Sequence, residues 1–239
     1  MANPPTLQPC DVLAFGPHPD DIEIAAAGTL LMSIASKQSV SLVDLTRGEK
    51  GSRGTVNDRD AEAAAAAKKL GVVERVNLGL PDAGILVGDH VTNLLVAVLR
   101  SARPTLLLAP HVRDVHPDHT ATAQLAERAF FLAGLRNHEP QLGAPHRPRL
   151  FLRYPGNHPI EPSLVVDISA VASAKADVVR CYRSQLSPSD RAHFVQGLDL
   201  LERAEVRDRF HGARIGVRAA EAFWHDGPLP VRDLRLLLG

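Results

Sequence analysis

Two short stretches are dense in ionisable side chains: His18, Asp20, Asp21 and Glu23 in GPHPDDIE, and Asp114, His116, Asp118 and His119 in DVHPDH. Adjacent carboxylates would repel a pyrophosphate, and the first stretch contains no G-x-G-x-x-G or G-K-[ST], so a phosphate-cradling turn is excluded there. Carboxylates crowded beside imidazoles make chemical sense when a cation sits among them. The two stretches together offer at least two imidazoles and a carboxylate for one divalent metal. That donor set suits catalytic zinc with positions left open for water, and it suits non-haem iron(II) as well. A lone HPD tripeptide is more often a turn than a ligand site; two such clusters, each directly after an apolar run, are harder to dismiss.

The elements that must position these clusters are legible as alternating apolar runs and helical stretches. Residues 11–16, 41–46, 75–78 and 105–109 read as buried parallel strands. Residues 24–36, 57–70, 91–100 and 120–135 read as the helices between and after them, the second with Asn57 and Asp58 at the N-cap and Gly71 at its stop. Such alternation predicts an α/β fold, a Rossmann-like, mostly parallel sheet flanked by helices. Each cluster then lies at the carboxyl end of a strand, where open α/β sheets bind ligands. Residues 149–153 and 163–168 flank a loop holding Pro155, Pro159 and Pro162 and are expected to extend the same sheet. Helices are expected near residues 169–182 and 191–208. Residues 1–239 read as a single domain.

Composition narrows the partners. With 27 Lys+Arg against 27 Asp+Glu the chain has no net basic field for nucleic acid, and no apolar stretch approaches the roughly 18 residues of a membrane span. The first ten residues lack the basic and apolar segments of an export signal, so a cytoplasmic protein is expected, with Cys10 and Cys181 as reduced thiols.

GPHPDDIE followed by DVHPDHTATA resembles the LmbE-like or PIG-L deacetylases, zinc enzymes that remove acetyl groups from N-acetylglucosamine conjugates, and the resemblance covers nearly the whole chain. DLTRGEKGSRGTVNDRDAEA, NLGLPDAGI, APHRP, VVDIS and YRSQ are similar to the bacillithiol-pathway branch, which acts on N-acetylglucosaminyl malate. The resemblance implies His18, Asp21 and His119 as ligands of zinc, with iron(II) or another divalent metal as the alternative. It implies Asp20 as general base, His116 as acid or oxyanion stabiliser, and Asp118 holding the His116 ring. Arg59 and Arg147 match positions near the substrate and would meet the malate carboxylates. Asp82 in LPDAG either binds a sugar hydroxyl or forms a turn. Glu23 either orients the site or is an acid favoured at a helix N-terminus, and Tyr182 lines the site or packs a helix. Val115 stands where the branch commonly has a basic residue. A small amino-sugar glycoside as substrate and a homo-oligomer, trimer or hexamer, are further implications. The rival readings are a deacetylase or amidase acting on another N-acetylglucosamine derivative or a thiol conjugate, and a metal-binding protein without activity; a free base at Asp20 speaks against the last, because storage gains nothing from one.

Overall fold

The computed structural model describes residues 4–186, 199–229 and 233. Strands β1 (Val12–Gly16), β2 (Val40–Thr46), β3 (Glu74–Leu80), β4 (Leu106–Pro110) and β5 (Leu150–Tyr154) form one parallel sheet in the order β3-β2-β1-β4-β5. Side chains of β1 alternate between its faces, as a period of two demands. Leu13 and Phe15 join Leu95, Val96, Leu125 and Ala126 from α3 (Asp89–Ala102) and α4 (Pro117–Ala133) in one core. Val12 and Ala14 join Ile22, Leu30, Ala63 and Ala66 from α1 (Asp21–Ala35) and α2 (Val56–Leu70) in the other, with Val178 of α5 (Ala172–Val179). Burial on both sides explains why these strands read as continuous apolar runs.

Strand order reverses between β1 and β4. The chain builds outward through β2 and β3, then returns to lay β4 on the opposite side of β1. The loops leaving β1 and β4 therefore diverge and open a crevice between them, and the two charged clusters are those loops.

Helix termini follow their local chemistry, with one adjustment. Gly71 ends α2 in the left-handed conformation at φ 81°. The N-cap, however, is Thr55, whose hydroxyl accepts from Asp58 N–H while the Asp58 carboxylate accepts from Thr55 N–H; Asn57 and Asp58 lie inside the first turn.

Residues 163–168 do not extend the main sheet. Here β6 (Leu164–Asp167) pairs antiparallel with β7 (Ala220–Phe223) in a separate two-stranded sheet, linked to β5 by the bridge between Arg153 and Trp224. Three prolines between β5 and β6 withhold N–H donors from any continued ladder, and the strand that does pair with β6 arrives more than fifty residues later, beyond the reach of a local pattern. The expected helix over residues 191–208 is met in part: residues 191–198 lie outside the described residues, and α6 (Leu200–Ile215) runs on to Gly216, which ends it at φ 75°.

Side chains from α5, α6 and β7 lock α1 in place. Glu221 accepts from Gly28 N–H and Thr29 N–H at 2.8 and 2.7 Å and also meets Lys175 Nζ, which is paired with Asp208. Gly28 is required there, since a Cβ would lie 2.7 Å from the Ile168 side chain. Both cysteines are free. No helix among the described residues is long and apolar enough to cross a membrane.

Candidate metal centre and its cavity

The turn after β1 carries His18 and Asp20 and delivers Asp21 as the first residue of α1. Asp20 holds φ 109°, a conformation that a side chain with a Cβ rarely adopts and that persists only when its surroundings over-determine it. Across the crevice, His116 is the N-cap of α4 and His119 lies in its first turn. Asp21 Oδ2 stands between the two clusters, 3.1 Å from His18 Nδ1 and 3.3 Å from His119 Nε2.

Each of those rings is held from behind by carboxylate. His119 Nδ1 is 3.2 Å from Asp114 Oδ2; His18 Nε2 is 3.1 Å from Asp82 Oδ1 and 3.2 Å from Asp118 Oδ2. A ring nitrogen that donates outward to a carboxylate leaves its other nitrogen as a lone-pair donor facing inward, the arrangement that orients metal-bound histidines. The inward-facing atoms are then His18 Nδ1, His119 Nε2 and Asp21 Oδ2, and ligand atoms of this trio lie within 4.8 Å of one another. His18, His116 and Asp118 meet the same separation, but Asp118 already accepts from Ala83 N–H and Ile85 N–H and His116 Nδ1 is occupied. The first trio has the better donors.

Electrostatics also call for a cation. Burial works against charge on His18, yet hydrogen bonds to Asp118, Asp21 and Asp82 push it well above the usual imidazole range. His119 is pushed up to about 9, with Asp21 and Asp114 outweighing burial. Asp21 is held well below the ordinary carboxylate range by His119 and His18 although it too is buried. Protons on these rings supply the positive charge that a divalent metal would bring. The nitrogen and oxygen donors present therefore fit such an ion.

Asp20 has a different environment. Burial pushes it up to about 7 against the pull of Arg59, whose Nη2 lies 3.3 Å from Asp20 Oδ2 and also donates to the Pro19 carbonyl. The result is a carboxyl poised near neutrality beside the ligand trio, the condition that suits a proton acceptor. His116 is lowered by burial and by the neighbouring His18 and His119 charges. Its Nδ1 accepts from Asp118 N–H at 3.2 Å, so the ring proton of the neutral form sits on Nε2.

These contacts revise several expectations. Asp118 does not hold the His116 ring through its carboxylate, which serves His18 and two backbone amides; the bond to His116 comes from its main chain, because the N-cap geometry turns that amide toward Nδ1. Asp82 orients His18 through one oxygen and accepts Lys50 N–H with the other. Arg59 is buried against Asp20. Arg147 is not brought to the site: it is exposed, donates to the Phe131 carbonyl and stacks on the Phe131 ring near the end of α4. Glu23 is fully buried on Arg75 and Tyr182, and Arg75 grips Asp44, so Glu23 and Tyr182 form an internal network beneath α1. Val115 is 52% exposed.

Other residues at the site were not assigned from the sequence. Asp114 was visible inside the second cluster, and the need of a ligand histidine for an outer carboxylate was the signal that could have found it. Asn157 and Arg203 had no local signal. Asn157 follows β5 and donates its N–H to Asp114 Oδ2 at 2.7 Å; Arg203 on α6 donates to Asn157 Oδ1 at 2.9 Å. Gly156 packs so tightly that a Cβ would collide with Asp114 and His119. Above the ligand trio opens a cavity of about 620 Å³, walled on one side by the loop of Lys50 and Arg53 and on the other by Leu200, Arg203, Val206 and Phe210 of α6.

Fold and site together define a parallel α/β protein with a His-Asp-His metal-type centre at the topological switch point. The family model of PIG-L, GlcNAc-PI de-N-acetylase, matches residues 13–130, which include both clusters, so the chain carries a PIG-L family domain over those residues. A Streptomyces avermitilis protein named 1D-myo-inositol 2-acetamido-2-deoxy-alpha-D-glucopyranoside deacetylase is 33% identical over 54% of this chain, and the match spans about half, 55%, of that relative. A Bacillus subtilis protein named probable N-acetyl-alpha-D-glucosaminyl L-malate deacetylase 2 is 26% identical over 73% of this chain and 82% of its own length. Among solved structures, the conserved protein TT1542 from Thermus thermophilus superposes with a TM-score of 0.82 at 40% identity, covering 94% of this chain and 97% of that one.

Proposed function

We propose that the chain is a metal-dependent deacetylase that removes acetate from N-acetylglucosaminyl malate. The observation that carries the deacetylase reading is the convergence of His18 Nδ1, Asp21 Oδ2 and His119 Nε2 beside a separate buried carboxylate, Asp20. His18, Asp21 and His119 would hold the ion, with zinc the first choice for mixed nitrogen and oxygen donors. A divalent ion bound there supplies Lewis acidity, lowering the pKa of a water and polarising the acetamide carbonyl.

The chain's own residues supply the proton chemistry. Asp20 accepts a proton as the water oxygen bonds to the acetyl carbon. His116, neutral with its proton on Nε2, donates a hydrogen bond to the carbonyl oxygen as negative charge develops on it. When the carbon–nitrogen bond breaks, Asp20 returns the proton to the departing amine, so the free amino sugar leaves with acetic acid, which keeps the second water hydrogen until it ionises to acetate in solvent. Arg59 anchors Asp20 in its strained conformation, and Asp114 and Asp82 keep both imidazoles aligned. The geometry thus favours His116 as an oxyanion donor over His116 as the acid.

The malate assignment rests on the cationic side chains around the cavity and on similarity to the Bacillus subtilis relative. The 33% identity to the Streptomyces relative supports a second reading, an inositol glycoside. Acetate release by the zinc-loaded protein from the malate glycoside, the inositol glycoside and free N-acetylglucosamine separates them. The malate glycoside is expected to show the highest kcat/KM; equal or better turnover of either rival overturns the malate reading, and turnover of none overturns the deacetylase.

A further inference from the structure

We propose that Arg203 is the specificity-determining cation of the site and takes a carboxylate carried by the aglycone of the amino-sugar substrate; this rests on the deacetylase reading above and names the substrate class, anionic glycosides. Arg147 cannot serve, since it lies outside the cavity. Two of the cavity's arginines are committed elsewhere. Arg59 is buried on Asp20 and the Pro19 carbonyl. Arg207 donates to three main-chain carbonyls, those of Pro155, Gly156 and Ile24, at 2.9–3.1 Å.

Arg203 differs from both. It lines the cavity half-buried, and its one hydrogen bond among the described residues is the 2.9 Å contact to Asn157 Oδ1. A guanidinium has five N–H donors in a planar fork matched to a carboxylate, so Arg203 retains donor capacity for a bidentate partner. Its position is fixed from both sides. It rises from the first turn of α6, and Asn157, which holds it, is itself held to Asp114 through both its N–H and its side-chain amide, at 2.7 and 3.3 Å. Asp114 in turn orients His119. The chain of contacts Arg203–Asn157–Asp114–His119 places a cation at a set distance from the reacting centre, which is what recognition of a remote substrate group requires.

This cation also answers a problem of charge. The acids Asp20, Asp21 and Asp82 line the cavity, with Asp114 and Asp118 buried behind the histidines, and together they would repel an anionic aglycone. Arg203 feels the field of three of them, Asp20, Asp21 and Asp114, yet forms no ion pair with any among the described residues. A substrate carboxylate would give it an ionic partner that none of the described residues provides. Neutral glycosides gain nothing from the contact, so the residue sorts substrates without contributing to bond cleavage.

The test compares zinc-loaded wild-type protein and Arg203→Gln on two substrates, N-acetylglucosaminyl malate and methyl N-acetylglucosaminide, with acetate release as the readout. Loss of a charge-assisted bidentate contact is expected to raise KM for the malate glycoside about tenfold or more while kcat changes by less than about twofold. Turnover of the methyl glycoside should fall by a much smaller factor than that of the malate glycoside, and Arg203→Lys should recover part of the malate preference. A substrate-side variant avoids dependence on the folding of the mutants: with wild-type protein the neutral dimethyl ester of the malate glycoside should lose the same factor. The proposal is overturned if Arg203→Gln slows both glycosides alike, or if diacid and diester are turned over equally. Release of acetate from neither substrate by wild-type protein would overturn the deacetylase reading instead.

Discussion

At the scale of single residues, the site separates roles between side chains that the sequence sets side by side. Asp20 and Asp21 are neighbours, but the break in backbone direction at φ 109° sends one toward Arg59 and the other between two imidazoles. Asp20→Asn preserves shape and removes the proton acceptor, so acetate release should fall by about 10² to 10⁴ while bound zinc, measured by elemental analysis, stays stoichiometric. Retained activity in a zinc-replete variant would show that Asp20 is not the base. Asp114 touches no reacting group and acts through His119. Asp114→Asn should therefore weaken zinc by about 10- to 100-fold in competition against a chromogenic chelator, with activity recovering at saturating zinc. Unchanged affinity would remove Asp114 from the metal's support.

At the scale of elements, the loops that leave β1, β4 and β5 work only because the elements around them are stopped and spaced correctly. Gly156 lets the loop after β5 approach within contact of Asp114 and His119, and Gly156→Ala should push both aside. The expected result is lost zinc binding together with lost activity in a protein that still shows native far-ultraviolet dichroism; zinc affinity equal to wild type would contradict the close approach. The capping box of α2 positions Arg59 one turn later. Thr55→Ala should cost about 1 kcal/mol in urea unfolding, and a loss of activity larger than the loss of stability would show that the start of α2 sets the Arg59 contact with Asp20.

For the whole molecule, the core and the proposed metal ligands are different side chains. The two apolar layers, one on each face of the sheet, include none of His18, Asp21 and His119. Chelation should abolish acetate release while leaving the dichroism spectrum intact, and added zinc should restore activity; unfolding on chelation would mean the ion is structural. Leu95, fully buried between α3 and the sheet, belongs to the core alone. Leu95→Ala should lower stability by about 2 to 5 kcal/mol without altering KM at temperatures where the variant is folded.

What the sequence determined by itself was whatever depends on near neighbours along the chain: strands as apolar runs buried on both faces, helices with their stops, and two HPD clusters each following a strand. Local patterning is enough for these because period and capping act over a few residues. Tertiary structure alone decided which His18 nitrogen faces inward, because the answer lies in carboxylates from distant parts of the chain, Asp82 and Asp118. It also decided that Asp118 serves His18, that Arg147 is remote, that β6 pairs with β7 rather than the main sheet, and that Arg203 on a distant helix overlooks the centre. Each of these turns on contacts between residues far apart in the chain, whose geometry is fixed only when the layers pack.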